Sequence, residues 1–260
     1  MTSTAALEPA AREALVAYLL PWADDELILG HRDSEWTGFA PMLEEDLAFS
    51  SIAQDEIGHA ALIYAIVAEL TGGNPDHLAL RRPADAYRHA EVVEKSNGDW
   101  AYTIARHYLY DLADAVHLEV LSASTYPPLA GIARKMAREE HYHRLHGEMW
   151  WERLATGSSE SRGRLIDAAR ALAPLFGTLF GDTDGQEILL AEKILPASPA
   201  SLYLAWRDQA RPLLVALDPT LGRLLDGAAE PGRARPVSAD FQALHAEMTM
   251  VSASGLGERW

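Results

Sequence analysis

Two stretches of this chain set acids beside a histidine at helical spacing: Asp55-Glu56-Ile57-Gly58-His59 and Glu139-Glu140-His141-Tyr142-His143. Residues three apart share a face of an α-helix, so Glu56 stands next to His59 and Glu140 next to His143. A carboxylate beside an imidazole can chelate a cation, and a pair of Glu-x-x-His motifs on inward-facing helices is how helical bundles build dinuclear carboxylate centres. Each motif alone is a weak signal, as readily a solvated acid and a hydrogen-bonded core histidine as a ligand pair. The flanking residues favour the ligand reading. Ile52, Glu56, His59, Ile63, Ile66 and Leu70 advance in alternate steps of four and three, as do Ala133, Met136, Glu140, His143, Gly147 and Trp150. Either stripe would be an ordinary buried seam without its acid and imidazole. Burying those groups uncompensated costs on the order of several kcal/mol each, which a cation offsets.

Such a centre needs one more carboxylate from each of two further helices. Glu26 and Asp111 meet that need in register: Glu56 follows Glu26 by 30 residues and Glu140 follows Asp111 by 29. Two helical hairpins of nearly equal length would level each lone carboxylate with its Glu-x-x-His partner. Asp24 and Asp25 compete with Glu26, and Asp114 and Glu119 with Asp111. Asp55 and Glu139 are candidates to accept hydrogen bonds from ligand-histidine ring N–H groups. His141 and His146 flank the second motif in surface or core roles, and Tyr64, Tyr102, Tyr108, Tyr110 and Trp150 read as packing. Four carboxylates and two imidazoles without a thiolate suit iron or manganese better than zinc. Iron so held serves dioxygen reduction and oxygen transfer to a substrate.

The elements that must carry these residues are helices. Pro9 suits a first helical turn, and Ala11 to Gly30 is helical in pattern with a kink expected at Pro21. His31 to Pro41 reads as a turn. Met42 to Leu70 is a long helix stopped by Thr71-Gly72-Gly73-Asn74-Pro75. A looser connection with about one helical turn leads to Ser96-Asn97-Gly98. Asp99 N-caps a helix over Trp100 to Ser124, and Pro127-Pro128 opens another that runs to about Leu154. Glu160 to Trp260 reads as three or four shorter helices. The expectation is an all-α chain with one ferritin-like domain over 1–260: a four-helix bundle core at 8–156 and a helical C-terminal extension at 157–260.

Composition narrows the function. A formal net charge of -16 over 260 residues opposes nucleic-acid binding. It also opposes this chain as the main grip on a polyanionic ligand. With zero Cys there is no disulfide, thiolate site or iron–sulfur cluster on the chain. No run of about 18 or more apolar residues suggests a membrane span, and Met1 to Glu13 lacks the basic and apolar regions of a signal peptide. A cytoplasmic location is expected.

The run Glu26-Leu-Ile-Leu-Gly-His-Arg-Asp-Ser-Glu-Trp36, then Ala40-Pro41-Met-Leu-Glu-Glu-Asp-Leu-Ala48 and Gln54-Asp-Glu-Ile-Gly-His59, resembles the ring-1,2-phenylacetyl-CoA epoxidase family. These are the multicomponent diiron oxygenases of aerobic phenylacetate breakdown. The similarity continues through Thr103-Ile-Ala-Arg-His-Tyr108 and Asp111 to Glu140 and His143, and is weakest between Gly157 and Pro236. The family pairs two homologous ferritin-like subunits. Its A type carries the irons and the thioester; its C type often has degraded ligands and is regarded as structural. In length, in the Ser34-Glu35-Trp36 turn and in Trp260 this chain is similar to the C type, yet Glu26, Glu56, His59, Asp111, Glu140 and His143 match ligand positions of the A type.

The resemblance implies two non-haem iron ions, electrons from a separate flavin and iron–sulfur reductase, a homologous catalytic subunit, a small bridging subunit and an aryl-CoA thioester substrate. The expected function is a subunit of a diiron monooxygenase that epoxidises the aromatic ring of phenylacetyl-CoA. The alternative is a structural subunit that positions a catalytic homologue. Iron storage is disfavoured, since storage bundles are shorter and lack a C-terminal tail of about 100 residues.

Overall fold

Apolar residues at three- and four-residue intervals, broken by Gly and Pro, leave helix as the one regular structure that buries them. The computed structural model describes residues 7–226, 233 and 236–255, and among these every regular element is helical. Trp260 lies outside the described residues. The chain divides into two compact units, Arg12–Ser96 with Arg233–Trp260, and Met1–Ala11 with Asn97–Gly232.

The first unit is built on α1 (Pro9–Ser34) and α2 (Leu43–Thr71). Helix α1 runs on past Gly30, where the sequence suggests a turn from His31. The cause is visible in Arg32, which is buried and donates through Nε and Nη2 to the Glu94 carbonyl and through Nη2 to that of Asp240. Gly30 itself is a point of close approach: a Cβ there would meet Ile57 Cγ1 at 2.8 Å, Glu56 Cβ at 3.0 Å and the Ala53 carbonyl at 3.1 Å. Helix α2 ends on Gly72 at φ 72°, the left-handed C-cap that the Gly-Gly pair foreshadows.

Short helices α3 (Pro75–Leu80) and α4 (Glu91–Glu94) carry the connection, with a 3₁₀ turn at Ala84–Ala86. It is more ordered than the sequence implies. The C-terminal helices α10 (Ala239–Met248) and α11 (Met250–Ala253) belong to this unit. Phe241 of α10 packs on His89 (ring centroids 4.1 Å) and Tyr87 (5.3 Å), while His245 Nε2 lies 2.9 Å from the Arg82 carbonyl oxygen. Residues 82–90 are thereby pinned from outside.

The second unit is built on α5 (Trp100–Leu121) and α6 (Pro127–Thr156). Asp99 caps α5 by accepting from the Tyr102 N–H at 2.9 Å, as its position predicts. Helices α7 (Ser159–Leu172), α8 (Gln186–Ala191) and α9 (Pro199–Leu217) follow, with 3₁₀ segments at Ala173–Phe180 and Leu221–Leu225. Trp206 of α9, fully buried and stacked on Phe176 at 5.2 Å, donates its indole N–H to the Leu109 carbonyl at 3.0 Å. That bond ties the middle of α5 to α9 two residues from Asp111.

Candidate metal centre

In the α1–α2 hairpin the alternate-step stripe faces inward. Ile52, Glu56, His59, Ile63 and Ile66 are all buried, and Leu70 at the helix end is half-buried. Glu26, Glu56 and His59 are each 0 % exposed. His59 Nδ1 lies 3.7 Å from Glu26 Oε2 and 3.7 Å from Glu56 Oε2, and one donor atom from each residue falls within 4.8 Å of the others. The structure brings these three sequence-predicted residues together.

The neighbouring acids are committed elsewhere, which separates Glu26 from its competitors. Asp24 accepts from the Tyr64 hydroxyl at 2.5 Å, from the Arg88 N–H at 2.8 Å and from the Arg82 guanidinium. Arg82 in turn lies over the Tyr87 ring at 4.0 Å. Burial and the charge of Asp24 push the Tyr64 hydroxyl well above its ordinary range, so it stays a donor. Asp25 accepts from the Ala90 N–H at 2.6 Å and pairs with Arg233. Burial raises its pKa while Arg233 and that N–H oppose the rise. Residues 82–90 and Arg233 thus hold Asp24 and Asp25, and Glu26 alone of the three meets α2 donors. Its Oε1 accepts from the Trp22 indole N–H at 2.8 Å.

The α5–α6 hairpin repeats the arrangement. Ala133, Met136, Glu140, His143, Gly147 and Trp150 are buried, and Glu140 and His143 are each 3 % exposed. His143 Nδ1 lies 3.1 Å from Glu140 Oε1. Asp111 is 0 % exposed on α5, and a Cβ at Gly147 would come within 3.2 Å of its Oδ2 and 2.9 Å of Tyr108 Cδ2. Each hairpin therefore has a glycine where its helices close on a candidate carboxylate. Tyr108 packs on Trp151 (5.8 Å) and its hydroxyl is pushed up to about 12 by burial and by Glu148, so it remains protonated. Asp114 is buried and Glu119 exposed. Asp55 and Glu139 are half-buried, with Glu139 3.4 Å from Lys135.

Two residues at this centre are not among those the sequence motifs mark. Trp22 and His107 both sit one turn before the lone carboxylates, at Glu26 minus four and Asp111 minus four. His107 is 0 % exposed, with Nδ1 3.4 Å from Asp111 Oδ1. The four-residue spacing is the signal that could have found them.

The donor chemistry fits a divalent cation: acids and imidazoles share buried positions in both hairpins, with glycine at each point of tightest approach. The model of the phenylacetic acid catabolic protein family matches residues 1–260. The chain belongs to that family. It is similar to a curated relative, a component of the 1,2-phenylacetyl-CoA epoxidase of Escherichia coli (strain K12), at 37% identity over 196 residues, 75% of this chain and 79% of that one. Like the phenylacetic acid catabolic proteins to which it belongs, the chain is all-α and of the ferritin-like class, as its sequence indicates. Among the described residues of this family member, no helix is long and apolar enough to cross a membrane.

Proposed function

We propose that this chain is a subunit of a multicomponent diiron oxygenase that epoxidises the aromatic ring of phenylacetyl-CoA, with Glu26, Glu56, His59, Asp111, Glu140 and His143 holding its two iron ions. The observation that carries this reading is the burial, at 3 % exposure or less, of both Glu-x-x-His pairs and both lone carboxylates. The similarity to an epoxidase component supports the substrate. Bound iron supplies dioxygen activation. The chain's own residues hold and orient: Trp22 fixes one oxygen of Glu26, Tyr108 keeps its proton beside Asp111, and the apolar stripes exclude water.

One oxygen atom would enter the ring and the other leave as water. The electrons would come from a separate flavin and iron–sulfur reductase, since zero Cys leaves no cluster ligand here. A homologous catalytic-type subunit and a small bridging protein complete the assembly, in the cytoplasm. The test is iron content together with turnover of phenylacetyl-CoA by the reconstituted complex, wild type against Glu56→Ala and Glu140→Ala in this chain. Loss of iron and of product is expected. Equal turnover with equal iron overturns the reading.

A second reading, a structural partner of a catalytic homologue, is favoured by one observation. Phe39, Leu43 and Leu47 are 80%, 71% and 67% exposed. The turn that presents them is held in place, with the Gly38 N–H donating to Asp46 Oδ1 at 3.0 Å. Turnover unaffected by Glu140→Ala, with loss of complex assembly on Phe39→Ser, would select it.

A further inference from the structure

The two hairpins present the same framework with one difference in chemistry. Each has a lone carboxylate, a Glu-x-x-His pair, and a nitrogen heterocycle one turn before the lone carboxylate. In the α1–α2 hairpin the heterocycle is Trp22, whose indole can donate a hydrogen bond but has no lone pair for a cation. In the α5–α6 hairpin it is His107, whose imidazole can do either. Trp22 makes an ordinary hydrogen bond at 2.8 Å; His107 Nδ1 stands off Asp111 Oδ1 at 3.4 Å, long for such a bond. The His107 ring centroid lies 6.1 Å from that of His143, and the same helix pair brings Glu140 within 3.1 Å of His143 Nδ1. His107, Asp111, Glu140 and His143 thus form a buried set of two imidazoles and two carboxylates within one hairpin. Glu26, Glu56 and His59 form a set of one imidazole and two carboxylates in the other.

We infer that His107 is a further metal donor, and that the two cation positions are unequal: nitrogen-rich in the α5–α6 hairpin, oxygen-rich in the α1–α2 hairpin. The inference rests on the metal-binding part of the proposed function and goes beyond its six ligands. Imidazole favours the later first-row cations and carboxylate the harder ones, so Co(II) discriminates between the positions more than Mn(II) does. The nitrogen-rich position loads Co(II) first.

The test is a titration of the metal-free full chain with Co(II), followed by the cobalt visible absorption bands and by calorimetry, for wild type, His107→Phe, His107→Gln and Trp22→Phe. Wild type is expected to bind in two steps separated by at least roughly tenfold in affinity. Both His107 variants should weaken the tighter step roughly tenfold to hundredfold and change its absorption, while Trp22→Phe alters only the weaker step. Glutamine can still hydrogen-bond Asp111 but is a poor ligand. If His107→Gln binds as wild type does, His107 merely orients Asp111 and the inference fails. Two identical steps in wild type also overturn it. Absence of any cobalt binding by wild type sinks the metal centre itself, and with it the function proposed above.

Discussion

The Trp22 indole N–H points at Glu26 Oε1 from one turn back along the same helix, 2.8 Å away and wholly inside the protein. That single bond decides how Glu26 can act. With one oxygen engaged, Oε2 is the atom turned toward His59. Replacing Trp22 by Phe should leave the fold intact and cost about 1–3 kcal/mol in stability, read by urea denaturation of the metal-free chain. An unchanged midpoint would show the bond to be incidental.

The two close-approach glycines give a sharper contrast. Gly147→Ala puts a methyl 2.9 Å from Tyr108 Cδ2 and 3.2 Å from Asp111 Oδ2, and Gly30→Ala puts one 3.1 Å from the Ala53 carbonyl. Each should destabilise by about 1–3 kcal/mol. Gly131→Ala on the same α6 helix meets nothing within 4 Å, so it should stabilise by about 0.5–1 kcal/mol through helix propensity. Melting curves of the three variants check both signs.

Trp206 anchors α5 from outside the candidate centre. Its truncation to Ala removes a fully buried ring stacked on Phe176 and the bond to the Leu109 carbonyl, at a cost of about 3–5 kcal/mol. Chemical denaturation should show that loss. A cost below about 1 kcal/mol would mean the site collapses freely around the gap.

His31 supplies a pH dependence. Burial lowers its pKa, with Glu247 and Glu35 opposing the shift. The unfolded chain then takes up the proton first as pH falls, so the stability from neutral His31 is present above about pH 6.5 and declines below it toward the folded pKa. His31→Gln should flatten that part of the stability profile between about pH 7 and pH 5, measured against wild type in the same buffers.

Much of the metal centre is legible in the sequence because it obeys helical periodicity. Glu56, His59, Glu140 and His143 sit on stripes whose other members are apolar, and a stripe can be read without a structure. Glu26 is harder. Three acids in succession point in different directions, and what separates them is residues 82–90 and Arg233, far away in sequence. His107 escapes the Glu-x-x-His pattern because its partner lies four residues away rather than three. The end of α1 is obscured for a related reason: Gly30 looks like a helix stop, but it is a contact point against α2, and Arg32 finds carbonyl partners that only tertiary structure brings near.

The rigid turn around Gly38 has a consequence for the cell. A phenyl ring held almost fully in water, with two leucines beside it, is a greasy knob that native packing has not hidden. Copies made in excess of whatever caps that knob would stick to one another or be cleared by proteases, so this chain's abundance should track its companion's rather than its own rate of synthesis.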